Sequence, residues 1–124
     1  MLEEEIASIA AKNAAVSDIA ELEETLQQMK ENMDDIIVLA ICDTQFHMKL
    51  LKMSKNELLI NVYNVVYNHI ENLIHYAFKM DQKIRHNAIR YHEKLIKAVK
   101  ENSPDLARQI MHEHMKDVHD TICA

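Results

Sequence analysis

Asp43 and His47 stand four residues apart, the separation at which two side chains of one helix can close on a single ion. Around them Ile36, Leu39, Ala40, Phe46 and Leu50 recur with helical period, and Asp43 and His47 fall where that apolar stripe should continue. Both are expected to face the core. A carboxylate placed there demands a cation, hydrogen-bond donors or a metal, because burying it alone is costly. His92 interrupts a comparable stripe made by Ala88, Ile89, Leu95 and Ile96, and His114 one made by Ile110, Met111 and Val118. Three imidazoles and one carboxylate turned inward from three helices suit a borderline divalent ion such as Zn²⁺, Ni²⁺ or Mn²⁺, with positions left for water or a ligand.

Spacing alone is weak support for such a site. With 20 acidic residues in 124, eight histidines should meet an acidic residue four positions earlier roughly once by chance. Two such pairs occur, Asp43 with His47 and Glu71 with His75, and the second lies beside polar Asn68 and Asn72. Burial separates the two pairs. His112 neighbours Arg108 and Lys116, and His86 neighbours Gln82, Lys83 and Arg90, so both are expected in solvent. His69, His75 and His119 sit at stripe edges. A satisfied core histidine is the commoner explanation for any one inward imidazole, but it explains three of them plus a carboxylate poorly.

The elements that must position these groups are helices. The chain has no glycine and one proline, so the tight turns and positive-φ corners of strand-rich folds have almost no residues to supply them. Cap chemistry marks about six helices. The first runs from about Leu2 to Ala14, with Ile6, Ile9, Ala10 and Asn13 on one face. Ser17 and Asp18, with Glu21 completing a capping box, open a second that runs to about Met33. Asp34 and Asp35 precede a third, ending near Met53. Ser54 and Glu57 form the next capping box and open a long helix to about Met80, long enough to be broken or kinked. Asp81 precedes a fifth, ending near Asn102, and Ser103-Pro104-Asp105 starts a last helix to about Ile122.

A length of 124 residues fits one core, and one domain over 1–124 is expected. The net charge of −6 has the wrong sign for neutralising phosphates, which excludes nucleic-acid binding by this segment alone. Cys42 and Cys123 form no ligand spacing, and two thiols without a disulfide framework point to a reducing, cytoplasmic compartment. No apolar run approaches the roughly 20 residues a membrane span needs.

Taken in order, Asp43-Thr44-Gln45-Phe46-His47 with Leu50, then Ser54 and Asn56, then His92 with Ala98, then Ala107, Met111 and His114, resemble the C-terminal FCD-type effector domain of the FadR subfamily of GntR transcription regulators. Glu3 through Ala14 is similar to that domain's first helix. The resemblance implies an all-α antiparallel bundle around a central cavity. It implies one divalent metal on Asp43, His47, His92 and His114, zinc or nickel above others, with a small carboxylate effector completing the coordination. It further implies a homodimer, and operator DNA bound only through an N-terminal winged helix-turn-helix that this chain lacks. Many relatives carry an arginine just before the first-helix glutamate, where it meets the effector. Met1-Leu2 leaves no room for one, and Arg85, two turns before His92 on about the same face, is the expected substitute.

Two other classes compete. A di-iron enzyme needs Glu-x-x-His motifs, and no histidine here has a glutamate three residues before it. A mononuclear metal hydrolase needs a further acid or base on the inward faces, and periodicity supplies none. A structural metal in a dimerisation module is the third class. The expected role is that of a sensor, not an enzyme.

Overall fold

The computed structural model describes residues 2–123, which form six α-helices: α1 Leu2–Asn13, α2 Val16–Glu31, α3 Ile36–Met53, α4 Glu57–Met80, α5 Gln82–Lys100 and α6 Pro104–Ile122. The expected all-α bundle is what the chain forms. α3 lies among α1, α2 and α4, while α5 packs on α6 and α2 and α1 lies along α6. Their apolar faces share one core that includes Ile6, Leu22, Met29, Phe46, Leu95 and Met111. No helix among the described residues is long and apolar enough to cross a membrane.

The caps are where sequence and structure part. Ala15, not Ser17 or Asp18, is the N-cap of α2, and the Asp18 carboxylate accepts a hydrogen bond from the Ala15 N–H at 2.9 Å. The N-cap of α4 is Asn56, whose side chain accepts from Leu59 N–H, while the Ser54 hydroxyl donates to Leu51 O at the end of α3. Asp35 and Asp81 cap α3 and α5 as expected. α4 runs unbroken over its 24 residues, consistent with the absence of glycine and proline within it. Without glycine, two turns still use positive φ, at Lys55 (58°) and Asn102 (51°). At Asn102 the arrangement closes α5: Ser103 N–H donates to Ala98 O and Asn102 N–H to Val99 O, the crossed pair of a Schellman turn.

These packings bring one turn each of α3, α5 and α6 to a common point in the core. The run Glu3-Glu4-Glu5 is divided between three tasks. Glu5 pairs with Arg108 of α6 at 2.6 Å, Glu4 pairs with His112 of α6, and Glu3 turns inward. The two exposed pairs contribute little each, but they set α1 along α6 and thereby aim Glu3.

Candidate metal centre

Asp43 and His47 from α3, His92 from α5 and His114 from α6 meet inside the bundle, each at most 9% exposed. One ligand atom from each lies within 4.8 Å of the others. Ligands on opposite sides of one ion, each at about 2.1 Å, stand roughly 4.2 Å apart, so side-chain adjustments of a fraction of an ångström bring all four onto a shared ion.

The hydrogen bonding fits a cation better than a closed polar network. His92 Nε2 lies 3.0 Å from Asp43 Oδ1, and His47 Nε2 lies 3.2 Å from the same oxygen. Yet Asp43 Oδ1 and His92 Nε2 make no hydrogen bond, and neither do His47 Nδ1 and His114 Nδ1. Orphaned buried polar atoms are expensive in a native core, and a divalent ion beside Asp43 Oδ1, His92 Nε2 and His114 Nδ1 would remove much of that cost, while His47 Nδ1 is the nitrogen that faces Glu3. The donor set, three imidazoles and a carboxylate, suits a borderline divalent transition metal.

Neighbours fix the ring orientations. Phe46 stacks on His92 with centroids 3.9 Å apart and planes within 5°. His92 Nδ1 lies 3.3 Å from Met29 Sδ. A thioether sulfur can only accept, so this contact favours the proton on Nδ1 and leaves the Nε2 lone pair facing Asp43. On His47, Nδ1 faces Glu3 Oε2 at 3.5 Å, and the other oxygen of Glu3 accepts a hydrogen bond of 2.7 Å from the Tyr63 hydroxyl of α4. Glu3 thus stands behind His47 as a carboxylate that can orient a metal-bound imidazole.

Charge follows the same layout. Burial alone lowers the His47 pKa, but the Asp43 and Glu3 carboxylates outweigh it and raise it to about 10. Burial raises that of Asp43, yet His92 and His47 hold it well below the carboxylate range. His92 is lowered by burial against the pull of Asp43, and His114 is lowered further by burial and by its two histidine neighbours. In metal-free protein one proton, on His47, occupies the charge role an ion would take.

Sequence reasoning placed Asp43, His47, His92 and His114 inward, and the structure brings these four together. It does not bring Arg85 to them. The Arg85 guanidinium donates to Phe78 O at 3.0 Å and Met33 O at 3.4 Å, tying the start of α5 to the end of α4 and the turn before α3, and it is not among the residues lining the cavity beside Asp43. His86, His69 and His119 are exposed, as is His112 despite its pairing with Glu4. Glu3 is the inward acid that the periodicity did not reveal. Replacing it by Gln should weaken metal binding about 10–100-fold while leaving helix content unchanged, measured by competition with a chromophoric chelator. Unaltered affinity would remove Glu3 from the site.

A cavity of about 340 Å³ opens beside Asp43, His47 and His114, bounded by α4 and α6. An ion held by the cluster would lie beside this cavity, which Asp43, His47 and His114 line and His92 does not. The pattern of the FCD domain matches residues 1–117. The Uxu operon regulator of Haemophilus influenzae is 26% identical over 127 aligned residues, which cover 95% of this chain and 46% of the regulator. The chain therefore spans about half the length of this curated relative. With the helical bundle, the buried Asp-His₃ cluster and a family match running through all six helices, the chain belongs to the FCD domain family, a regulatory and non-enzymatic family of GntR-type regulators.

Proposed function

We propose that this chain is the ligand-sensing part of a cytoplasmic GntR-type regulator, in which Asp43, His47, His92 and His114 hold one divalent transition metal, zinc or nickel, and the adjoining cavity receives a small carboxylate effector. The observation that carries this reading is the convergence of four buried ligand-bearing residues, Asp43, His47, His92 and His114, three of which, Asp43, His47 and His114, line a cavity. A bound divalent ion supplies a positive charge that a carboxylate oxygen can meet. The residues do the rest. Asp43 and the three imidazoles set the ligand's anchoring point, Phe46 and Met29 hold His92 in place, and α4 and α6 supply apolar walls. Because α3, α5 and α6 each contribute ligands, an effector that favours one packing of these helices changes how they sit. In an intact regulator that shift biases operator binding by a winged-helix domain, provided the effector binds the two arrangements unequally.

Calorimetric titration of small organic acids against metal-loaded and metal-free protein tests this. Binding is expected with metal and should weaken at least tenfold without it, a free-energy difference of about 1.4 kcal/mol. Equal affinity in the two forms makes the ion structural and rejects the sensing mechanism.

A homodimer is the assembly this use requires. α4 offers the surface for it: Leu58, Val62, Val65, Tyr76 and Met80 are exposed along its length, with Val65 82% exposed. Glu57, Glu71 and Lys79 are the charged residues of that helix, leaving its outer face poor in charge, so two copies can approach without repulsion. Light scattering should give twice the chain mass, and Val65→Glu should shift the protein to monomer. A monomeric wild-type chain rejects this interface.

A further inference from the structure

We infer that the effector is an acid with a single carboxylate and an apolar body, an aliphatic or aromatic monocarboxylic acid as opposed to a dicarboxylate or a polyhydroxylated sugar acid; this deepens, and rests on, the reading of the cavity as a metal-anchored effector site.

The walls of the cavity are Ile70, Leu73 and Ile74 from α4 and Met115, Val118 and Ile122 from α6. Its polar residues sit mainly at the inner end, where Asp43, His47 and His114 meet Glu3 and Tyr63, and His119 is the other polar residue lining it. Lysine and arginine are absent from the lining residues. The inner polar groups are already committed: the Tyr63 hydroxyl donates to Glu3, and Glu3 faces His47.

Charge balance then limits the ligand. Two carboxylates, Asp43 and Glu3, stand beside a site for one divalent ion, so ion and protein nearly cancel before any effector arrives. One further carboxylate can enter by meeting the ion directly. A second carboxylate on the same molecule finds no lysine or arginine among the lining residues, only the exposed His119. Hydroxyl groups along the ligand fare no better, since they would exchange water for six aliphatic and thioether side chains and stay unpaired. A hydrocarbon body loses nothing on leaving water and gains with each methylene buried.

The test is calorimetric titration of metal-loaded full chain with acetate, butyrate, hexanoate and octanoate, set against adipate and gluconate. Affinity should rise about fourfold per methylene until the cavity is full. Adipate, which matches hexanoate in carbon number but adds a second carboxylate, should bind at least tenfold more weakly than hexanoate, and gluconate likewise. Val118→Thr, nearly isosteric but polar, should flatten the chain-length dependence. Adipate or gluconate binding as tightly as hexanoate overturns the assignment. So does a flat series that still requires metal, which leaves the anchoring reading intact. A chain-length series that persists undiminished in metal-free protein upholds the ligand class and overturns metal anchoring alone. Failure of every acid to bind protein shown to be loaded overturns both.

Discussion

Stripping the metal from replete protein with a chelator should lower its melting temperature by roughly 10–20 °C. The ligands come from α3, α5 and α6, so an unfolded chain cannot present them together and the binding energy is available only to the folded state. An ion present at a thousand times its dissociation constant stabilises by about 4 kcal/mol. For a domain of this size each kcal/mol moves the melting temperature by a few degrees. Elemental analysis of replete protein should find about one metal per chain, and His92→Ala combined with His114→Ala should abolish both the metal and the chelator effect. Because emptying two buried positions also leaves cavities, His114→Gln alone is the control: it keeps most of the volume but removes an imidazole ligand, and the chelator-dependent shift should shrink in a protein that still melts cooperatively. Metal retained by the double variant, or a melting temperature indifferent to confirmed metal removal, rejects these four residues as ligands.

The four residues of the buried cluster were legible in the sequence because each breaks an apolar stripe, and a helix has room for few such exceptions on its buried face. Asp43 and His47 are read from α3 alone, with no knowledge of what packs against it. Glu3 was not legible. It begins a run of three glutamates at a helix start, a pattern expected of solvated residues favouring the positive end of the helix, and its burial depends on where α1 lies against α6 and α3. Met29 and Tyr63 were hidden for the same reason, since a methionine in an apolar stripe and a tyrosine on a long helix carry no local sign of the partner they meet. Arg85 was assigned by its angle on α5, which is sound within one helix. Its side chain is instead drawn away by the carbonyls of Phe78 and Met33, whose positions depend on the turns flanking α3 and α5. The helix caps erred by two to three residues: before α4 the Ser54 and Asn56 side chains offer equivalent oxygens, and at α2 the N-cap is Ala15, which has no side-chain oxygen to mark it.

Metal-free protein should lose stability steeply as the pH falls below about 6.5. His92 and His114 are held neutral when folded, their pKa values depressed by burial, while in the unfolded chain each takes up a proton near its ordinary value. Over that interval the unfolded state binds more protons, so stability falls with falling pH, by about 1.4 kcal/mol per pH unit for each histidine kept neutral. His47 has the opposite sign. Its folded pKa is raised to about 10, so its contribution is complete below the unfolded value and is lost progressively as the pH rises from there through 10. It therefore does not offset the acid loss. Asp43, whose folded pKa is depressed, stabilises above the ordinary carboxylate range, and its contribution goes as the pH falls through its folded value, which adds to the loss at the acid end. Urea denaturation of chelator-treated protein at pH 7.5, 6 and 5 should show the midpoint falling, and the combined replacement of His92 and His114 by apolar residues should remove most of the fall between pH 6.5 and 5. Metal-loaded protein should hold its midpoint to lower pH and then drop more sharply, because protons must displace the ion from the imidazoles before they can charge them. A metal-free midpoint that is level from pH 7.5 to 5 would mean that the two histidines ionise freely in the folded chain, and the buried cluster as drawn would have to be abandoned.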